Sequence, residues 1–171
     1  VTLSFEVVEE ASDILVDKDD FFYIEILNEN YHKEEIIGFA WGNEEKVFVS
    51  KNTELLKHFV FPENTYDFKK NKVLLYRLGI ELPTAKYDSM LAKYLISTTE
   101  DNKVETIGRL FANKYISTDE EVYGKGAKRR IPEDEILFKH LAGKIHVLAT
   151  TKAVMIQNLE ENEQYHLLTE M

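Results

Sequence analysis

The chain has 171 residues, a length suited to one domain with its own core. Its 44% hydrophobic and 12% aromatic content excludes a disordered segment, no apolar run approaches the roughly 18 residues that span a bilayer, and the absence of cysteine excludes disulfides, thiolate zinc sites and thiol nucleophiles. With 31 acidic against 21 basic residues the net charge is −10, which argues against an autonomous nucleic-acid binder, since such proteins draw their affinity from a basic face.

The first half reads as strands. Residues 2–8 alternate, with Leu3, Phe5 and Val7 on one face. Residues 21–27 form an aromatic and branched run bounded by acids and asparagines, the pattern of a buried central strand. Residues 36–41 and 46–50 predict two more strands, joined by Gly42-Asn43-Glu44-Glu45 as a hairpin. Asn52 then caps a short helix through Phe59, ended by Phe61-Pro62. A short strand at 65–67 leads into a helix over 68–78, closed by Gly79. Residues 80–86 are extended around Pro83, and Asp88 caps a helix running to Ile96.

Residues 97–102 read as a loop, 106–112 as a weak helix, and 117–130 as a long connection without period. Pro132 marks the first turn of the longest helix, where Glu133, Asp134 and Glu135 suit the N-terminus. Its apolar stripe is Leu137, Leu141, Ile145, Leu148, Ile156 and Leu159. Residues 160–163 interrupt that pattern and 165–171 resume it. A strand-rich half followed by helices predicts an α/β protein, a mixed sheet with helices packed on it. A start at Val1 and a stop at Met171 inside helical spacing predict a piece of a longer protein. No basic-then-apolar leader is visible, and with no cysteine a cytoplasmic location is expected.

Few residues offer chemistry on their own. His32, His58, His140, His146 and His166 are scattered without i,i+4 spacing, and are read as ordinary surface or half-buried residues rather than metal ligands. Gly124-Lys125-Gly126 lacks the length and the Ser/Thr of a phosphate loop. It opens the only basic cluster, Lys125, Lys128, Arg129 and Arg130, which reads as a solvated loop, with contact to a nucleic-acid backbone as the alternative. Glu25 is the one ionisable group inside the buried strand, where a charge is costly and needs a reason.

Several segments are similar to one family. Glu29-Asn30-Tyr31-His32 leading to Ile37-Gly38, Gly79-Ile80-Glu81-Leu82 followed by 87–95, Val122-Tyr123-Gly124-Lys125-Gly126, and the closing residues 162–171 resemble, in order, the 3′–5′ exonuclease domain of bacterial DNA polymerase I. The resemblance implies a ribonuclease-H-like fold, a mixed sheet flanked by helices, in a single domain over 1–171 whose last residues lead toward a polymerase domain. It implies that domain as the partner within the same parent chain, DNA contact through the parent, Mg2+ for the parent polymerase, a monomer, and no membrane.

The family's nuclease uses four carboxylates on two divalent metals. They come as an Asp-x-Glu on a central strand, an Asp opening the helix before the Gly-Ile-Glu-Leu segment, and an Asp four residues after a Tyr on a late helix. At the matching positions this chain has Tyr23 and Glu25, then Asn71, then Lys144, with His140 at the Tyr position. Four negative charges become zero, and an ammonium stands where a metal would bind. The resemblance therefore implies no catalytic residue, no metal and no cofactor for this domain: a vestigial exonuclease. Asn64-Thr65-Tyr66-Asp67 copies the family's Asn…Tyr-Asp motif four residues early, so Asp67 competes with Asn71 for the second position. The complementary swap also predicts an ion pair between Glu25 and Lys144.

Overall fold

A computed structural model describes residues 4–170. Six strands form one mixed sheet: β1 (Glu6–Val7), β2 (Phe21–Ile26), β3 (Ile36–Gly42), β4 (Val47–Ser50), β5 (Asn64–Thr65) and β6 (Tyr87–Asp88), in the spatial order β1-β4-β3-β2-β5-β6. β2 runs antiparallel to β3 and parallel to β5, so it lies inside the sheet, and all six of its residues are buried. Its alternation therefore feeds two cores. Phe22, Ile24 and Ile26 join Phe39, Trp41, Phe48, Leu55, Leu56, Leu74 and Leu75 on one face. Phe21 and Tyr23 join Ala40, Val47, Val49 and the long helix on the other.

The first face is a stack of rings. Trp41 packs against Phe39, Phe48 and Phe59 with centroids 5.9, 5.4 and 4.7 Å away, and its indole N–H donates to the Leu15 carbonyl at 2.9 Å. The β3–β4 hairpin turns at Gly42, whose φ of 146° and lack of side chain are required: a Cβ there would meet the Lys46 carbonyl oxygen at 2.2 Å.

Among the described residues, five α-helices complete the fold: α1 (Phe68–Arg77), α2 (Ser89–Ile96), α3 (Val104–Ala112), α4 (Asp119–Tyr123) and α5 (Asp134–Glu161). α5 carries the predicted stripe, with Leu137, Leu141, Ile145, Leu148 and Leu159 buried and Ile156 half-buried. The Asp88 carboxylate caps α2 through the Met90 N–H and also accepts from the N–H groups of Asp67 and Phe68, tying the start of α1 to the start of α2. Fully buried Lys93 donates to the carbonyls of Ser97 and Glu100 and to the Asn102 side chain, holding the 97–102 loop.

Several predicted boundaries shift. β1 is only two residues long; Val8 rather than Val7 faces the core, Val7 is 47% exposed, and Leu3, like Met171, lies outside the described residues. The element capped by Asn52 is a 3-10 helix, Thr53–His58. Pro132 precedes α5, which is capped at Glu133 and continues through Glu160 and Glu161, because charged residues on a solvated face do not end a helix. The connection read without period contains α4, whose Thr118 hydroxyl and Glu121 carboxylate form a reciprocal capping box. Among the described residues, no helix is long and apolar enough to cross a membrane.

Candidate functional site

The sheet's α5 face holds one polar centre. β2 carries Tyr23 and Glu25 on that face, and the pairing with β3 shifts register between Glu25 and Ile26, an irregularity of the kind that re-aims a strand side chain. Glu25 is 3% exposed and both its oxygens are used. Oε1 accepts from the Tyr23 hydroxyl at 3.1 Å, and Oε2 accepts from the Tyr123 hydroxyl at 2.9 Å and from the Lys144 ammonium at 2.6 Å. The expected pair between Glu25 and Lys144 is thus formed directly.

Lys144, on the buried stripe of α5, spends its other donors on the Tyr23 hydroxyl at 2.9 Å and on Asp119 Oδ1 at 2.7 Å. Asp119 opens α4 and also meets His140 Nε2 at 2.7 Å. Burial opposes the charge on Lys144, but the carboxylates of Glu25 and Asp119 outweigh it and hold its pKa well above the ordinary lysine value. Asp119 shows the mirror case: burial disfavours its anion, while the hydrogen bond from His140 and the charge of Lys144 hold its carboxyl far below the usual range. Burial, and then the charge of Glu25, push the Tyr23 and Tyr123 phenols upward, so both remain hydrogen-bond donors.

Of the matched positions, Tyr23, Glu25 and Lys144 come together, and Asn71 does not join them. Asn71 is wholly buried in α1, where its amide nitrogen donates to Thr65 Oγ1 at 2.7 Å and to the Tyr66 carbonyl at 3.4 Å. Asp67 caps α1 from a left-handed backbone with φ 62° and borders the open cleft beside Glu25. Lys70 lies between them in sequence, with its ammonium 4.8 Å from the centre of the Tyr23 ring.

Asp119, Tyr123 and Lys70 border the site without having been singled out as site residues in the sequence, whereas His140 stands where the resemblance placed it, at the Tyr position of the late helix. His140 corrects the reading of the histidines as ordinary: it is 6% exposed and belongs to the centre. The signal for Asp119 was the Thr118…Glu121 capping box, which places an acid at the first helical position. The basic segment divides. Arg129 is half-buried, donates to the Leu27 carbonyl and lies over the Tyr123 ring at 5.4 Å; Lys125 pairs with Glu120 at 3.5 Å; Lys128 and Arg130 are exposed. Gly124 makes this return possible, with φ 95° and the Arg130 N–H bonded to the Tyr123 carbonyl.

The donor set can be tested against the divalent metals of the resembled nuclease. Glu25, Asp119 and His140 could each offer an atom, all within 4.8 Å of one another. Yet Lys144 bridges the two carboxylates at 2.6 and 2.7 Å, in the position a metal ion would need. An ammonium that already takes up Glu25 Oε2 and Asp119 Oδ1 leaves too little anionic oxygen for two hard cations, which are bound by such ligands. The residues present do not fit a two-metal centre.

A mixed sheet with a carboxylate-bearing central strand and a long helix across one face is the ribonuclease-H-like exonuclease fold. Brucella melitensis NrnC shares it with a TM-score of 0.66 at 15% identity, covering 87% of this chain and 77% of that one. The POL domain of Pol1 from M. smegmatis, in complex with DNA primer-template and dNTP, shares it with a TM-score of 0.64 at 11% identity over 89% of this chain and 25% of that one. Residues 22–151 match the DNA polymerase I, ribonuclease H-like domain family, and the chain belongs to it. The DNA polymerase I of Lactococcus lactis subsp. cremoris (strain MG1363) is 61% identical over 170 residues, which are 99% of this chain and 19% of the relative. That of Streptococcus pneumoniae serotype 4 is 40% identical over 177 residues, again 99% of this chain and 20% of the relative. The chain therefore spans about a fifth of the length of these relatives.

Proposed function

We propose that this exonuclease-like domain is catalytically inactive and serves as a structural module of a DNA polymerase I. The observation that carries the reading is Lys144: its ammonium stands within 2.7 Å of both carboxylates of the centre, in the place a divalent cation would take. Tyr23, Asn71 and Lys144 replace the acids that the family's chemistry uses, and Glu25 survives as the anchor of an ion pair. Residues 1–171 then form one domain that needs no cofactor and supports the polymerase domain of its parent. The parent is a monomeric cytoplasmic enzyme that carries out template-directed DNA synthesis with Mg2+ and supplies the contact with DNA. The lactococcal and streptococcal relatives, matched along nearly the whole chain, support that placement. The segment 125–130 adds little DNA affinity in this reading, since Arg129 and Lys125 are engaged within the domain.

Incubating the chain at high concentration with labelled single-stranded DNA and Mg2+ or Mn2+ tests this reading. No release of nucleotides is expected. A second reading, a metal-dependent nuclease centred on Glu25, Asp119 and His140, draws on their clustering within 4.8 Å. Metal-stimulated release that disappears in Glu25→Gln would establish it and remove the first.

A further inference from the structure

α5 carries one glycine in its interior, Gly143, and packing does not ask for it. A Cβ there would meet only the Ile116 side chain, at 3.6 Å, an ordinary contact. Gly108 in α3 is the opposite case, since a Cβ would press on the Lys114 carbonyl and both methyls of Val147 at 3.1 Å. A glycine inside a helix destabilises it relative to alanine, so Gly143 weakens α5 without relieving a clash. What its missing side chain leaves is space. Gly143 lines a groove of about 940 Å³ that shares no residue with the cleft beside Glu25.

One wall of this groove is a single face of α5, where Ile136, Lys139, His140, Gly143, His146 and Val147 follow helical three-and-four spacing. Ile116 and Val122 line it from the far side of α3, and Val47 from the β3–β4 hairpin. The two imidazoles stand about one turn either side of Gly143. His140 is held by its 2.7 Å contact with Asp119, while burial and then the charge of Lys114 lower the His146 pKa, so that ring is neutral at pH 7. Apolar surface continues onto the rim, where Tyr115 is 74% and Ile136 50% exposed. The charges are divided by element: Glu44 and Glu45 belong to the hairpin, Lys114 to the segment after α3 and Lys139 to α5. Among the described residues, no ion pair joins the two sets, so both signs are left for a guest.

We propose that this groove binds a peptide segment of a partner protein, with one aromatic side chain seated over Gly143 between the two imidazoles. A basic residue on one side of that anchor meets Glu44 and Glu45, and an acidic residue on the other meets Lys114 and Lys139. A free ring compound would fill the notch but leave Tyr115, Ile136 and the rim charges in water, whereas a peptide covers all of them. A nucleic-acid strand is the poorer guest, because its phosphates would meet Glu44 and Glu45 and find no excess of cations. Occupancy of the groove does not depend on whether the polar centre cleaves DNA.

The 171-residue chain is titrated with end-blocked pentapeptides that carry tryptophan at the centre, glutamate at one end and lysine at the other, in both orders. Backbone amide NMR follows Gly143 and Ile116. One order is expected to move both signals and to bind about tenfold more tightly than the same peptide with alanine at its centre. Gly143→Leu fills the notch and weakens that peptide about tenfold, and Glu44→Lys with Glu45→Lys weakens it as well, while Lys128→Ala leaves it unchanged. Gly143→Ala separates a ligand role from a packing role: it raises the melting temperature, since no neighbour is displaced, and weakens the peptide. A lowered melting temperature in Gly143→Ala overturns the proposal, because packing would then explain the glycine. So do unmoved Gly143 and Ile116 signals with both peptides, equal affinity in Gly143→Leu, or N-acetyltryptophanamide binding as tightly as the peptide.

Discussion

β2 is one strand with two very different faces. On one, Phe22, Ile24 and Ile26 enter a core made of rings and branched chains, with Trp41 at its middle. On the other, one residue away at each step, Tyr23 and Glu25 enter a buried network of phenols, carboxylates and ammonium groups. The ring-filled face is held by area and packing, to which each contact adds a little. The polar face is held by a few directed bonds, each of which matters because an unmatched charge is expensive. A fold can therefore lose the chemistry of one face of a strand while the other face keeps its geometry.

Substitutions can break this contrast. Trp41→Ala removes the centre of the apolar face and should cost about 4 kcal/mol, seen as a shifted urea midpoint of the same size at pH 5 and pH 8. Lys144→Met leaves Glu25 and Asp119 without their cation and should cost about 3 kcal/mol. The double variant Glu25→Gln with Lys144→Met should cost less than the two single changes added together, since it removes both charges of the pair; strict additivity would mean that the pair is not coupled.

The acid limb sharpens the contrast further. The folded pKa of Asp119 is depressed, so its share of stability is present above its unfolded value of about 3.9 and is lost as pH falls below that. Asp119→Asn should flatten stability against pH in that acid window. Lys144 has the opposite sign: its folded pKa is raised, so its share persists until pH climbs above about 10.4. Lys128→Ala, on the exposed loop, should change stability by less than about 0.5 kcal/mol.

How much of this was legible depended on the length of the element carrying the signal. Residues 21–26 announce a buried strand because five apolar or aromatic residues surround a single acid. The stripe of α5 is legible over 28 residues. Glu25 and Lys144 could be paired from sequence because the resemblance placed both at matching positions of one site. Asp119 and Tyr123 escaped notice because a five-residue helix is too short to display a period, and β5 and β6, two residues each, show no alternation. No local pattern marks Lys70 or Lys93; their burial is decided by what packs over them, the Tyr23 ring for one and the 97–102 loop for the other. Tertiary surroundings, rather than local pattern, made them part of the interior.

The length of α5 has a mechanical consequence. At 1.5 Å per residue its 28 residues form a rod about 42 Å long, and Lys144 sits part-way along it, pinned to β2 by Glu25 and to α4 by Asp119. That pin is one of several fixed points along the rod, since Leu148, Met155 and Leu159 beyond it are also buried. The 17 residues from Lys144 to Glu161 make an arm of about 26 Å, so a tilt of about 5° at the pin displaces the far end by about 2 Å. The same bonds that fill the polar centre thereby help to set how stiffly the long helix is held at its distal end.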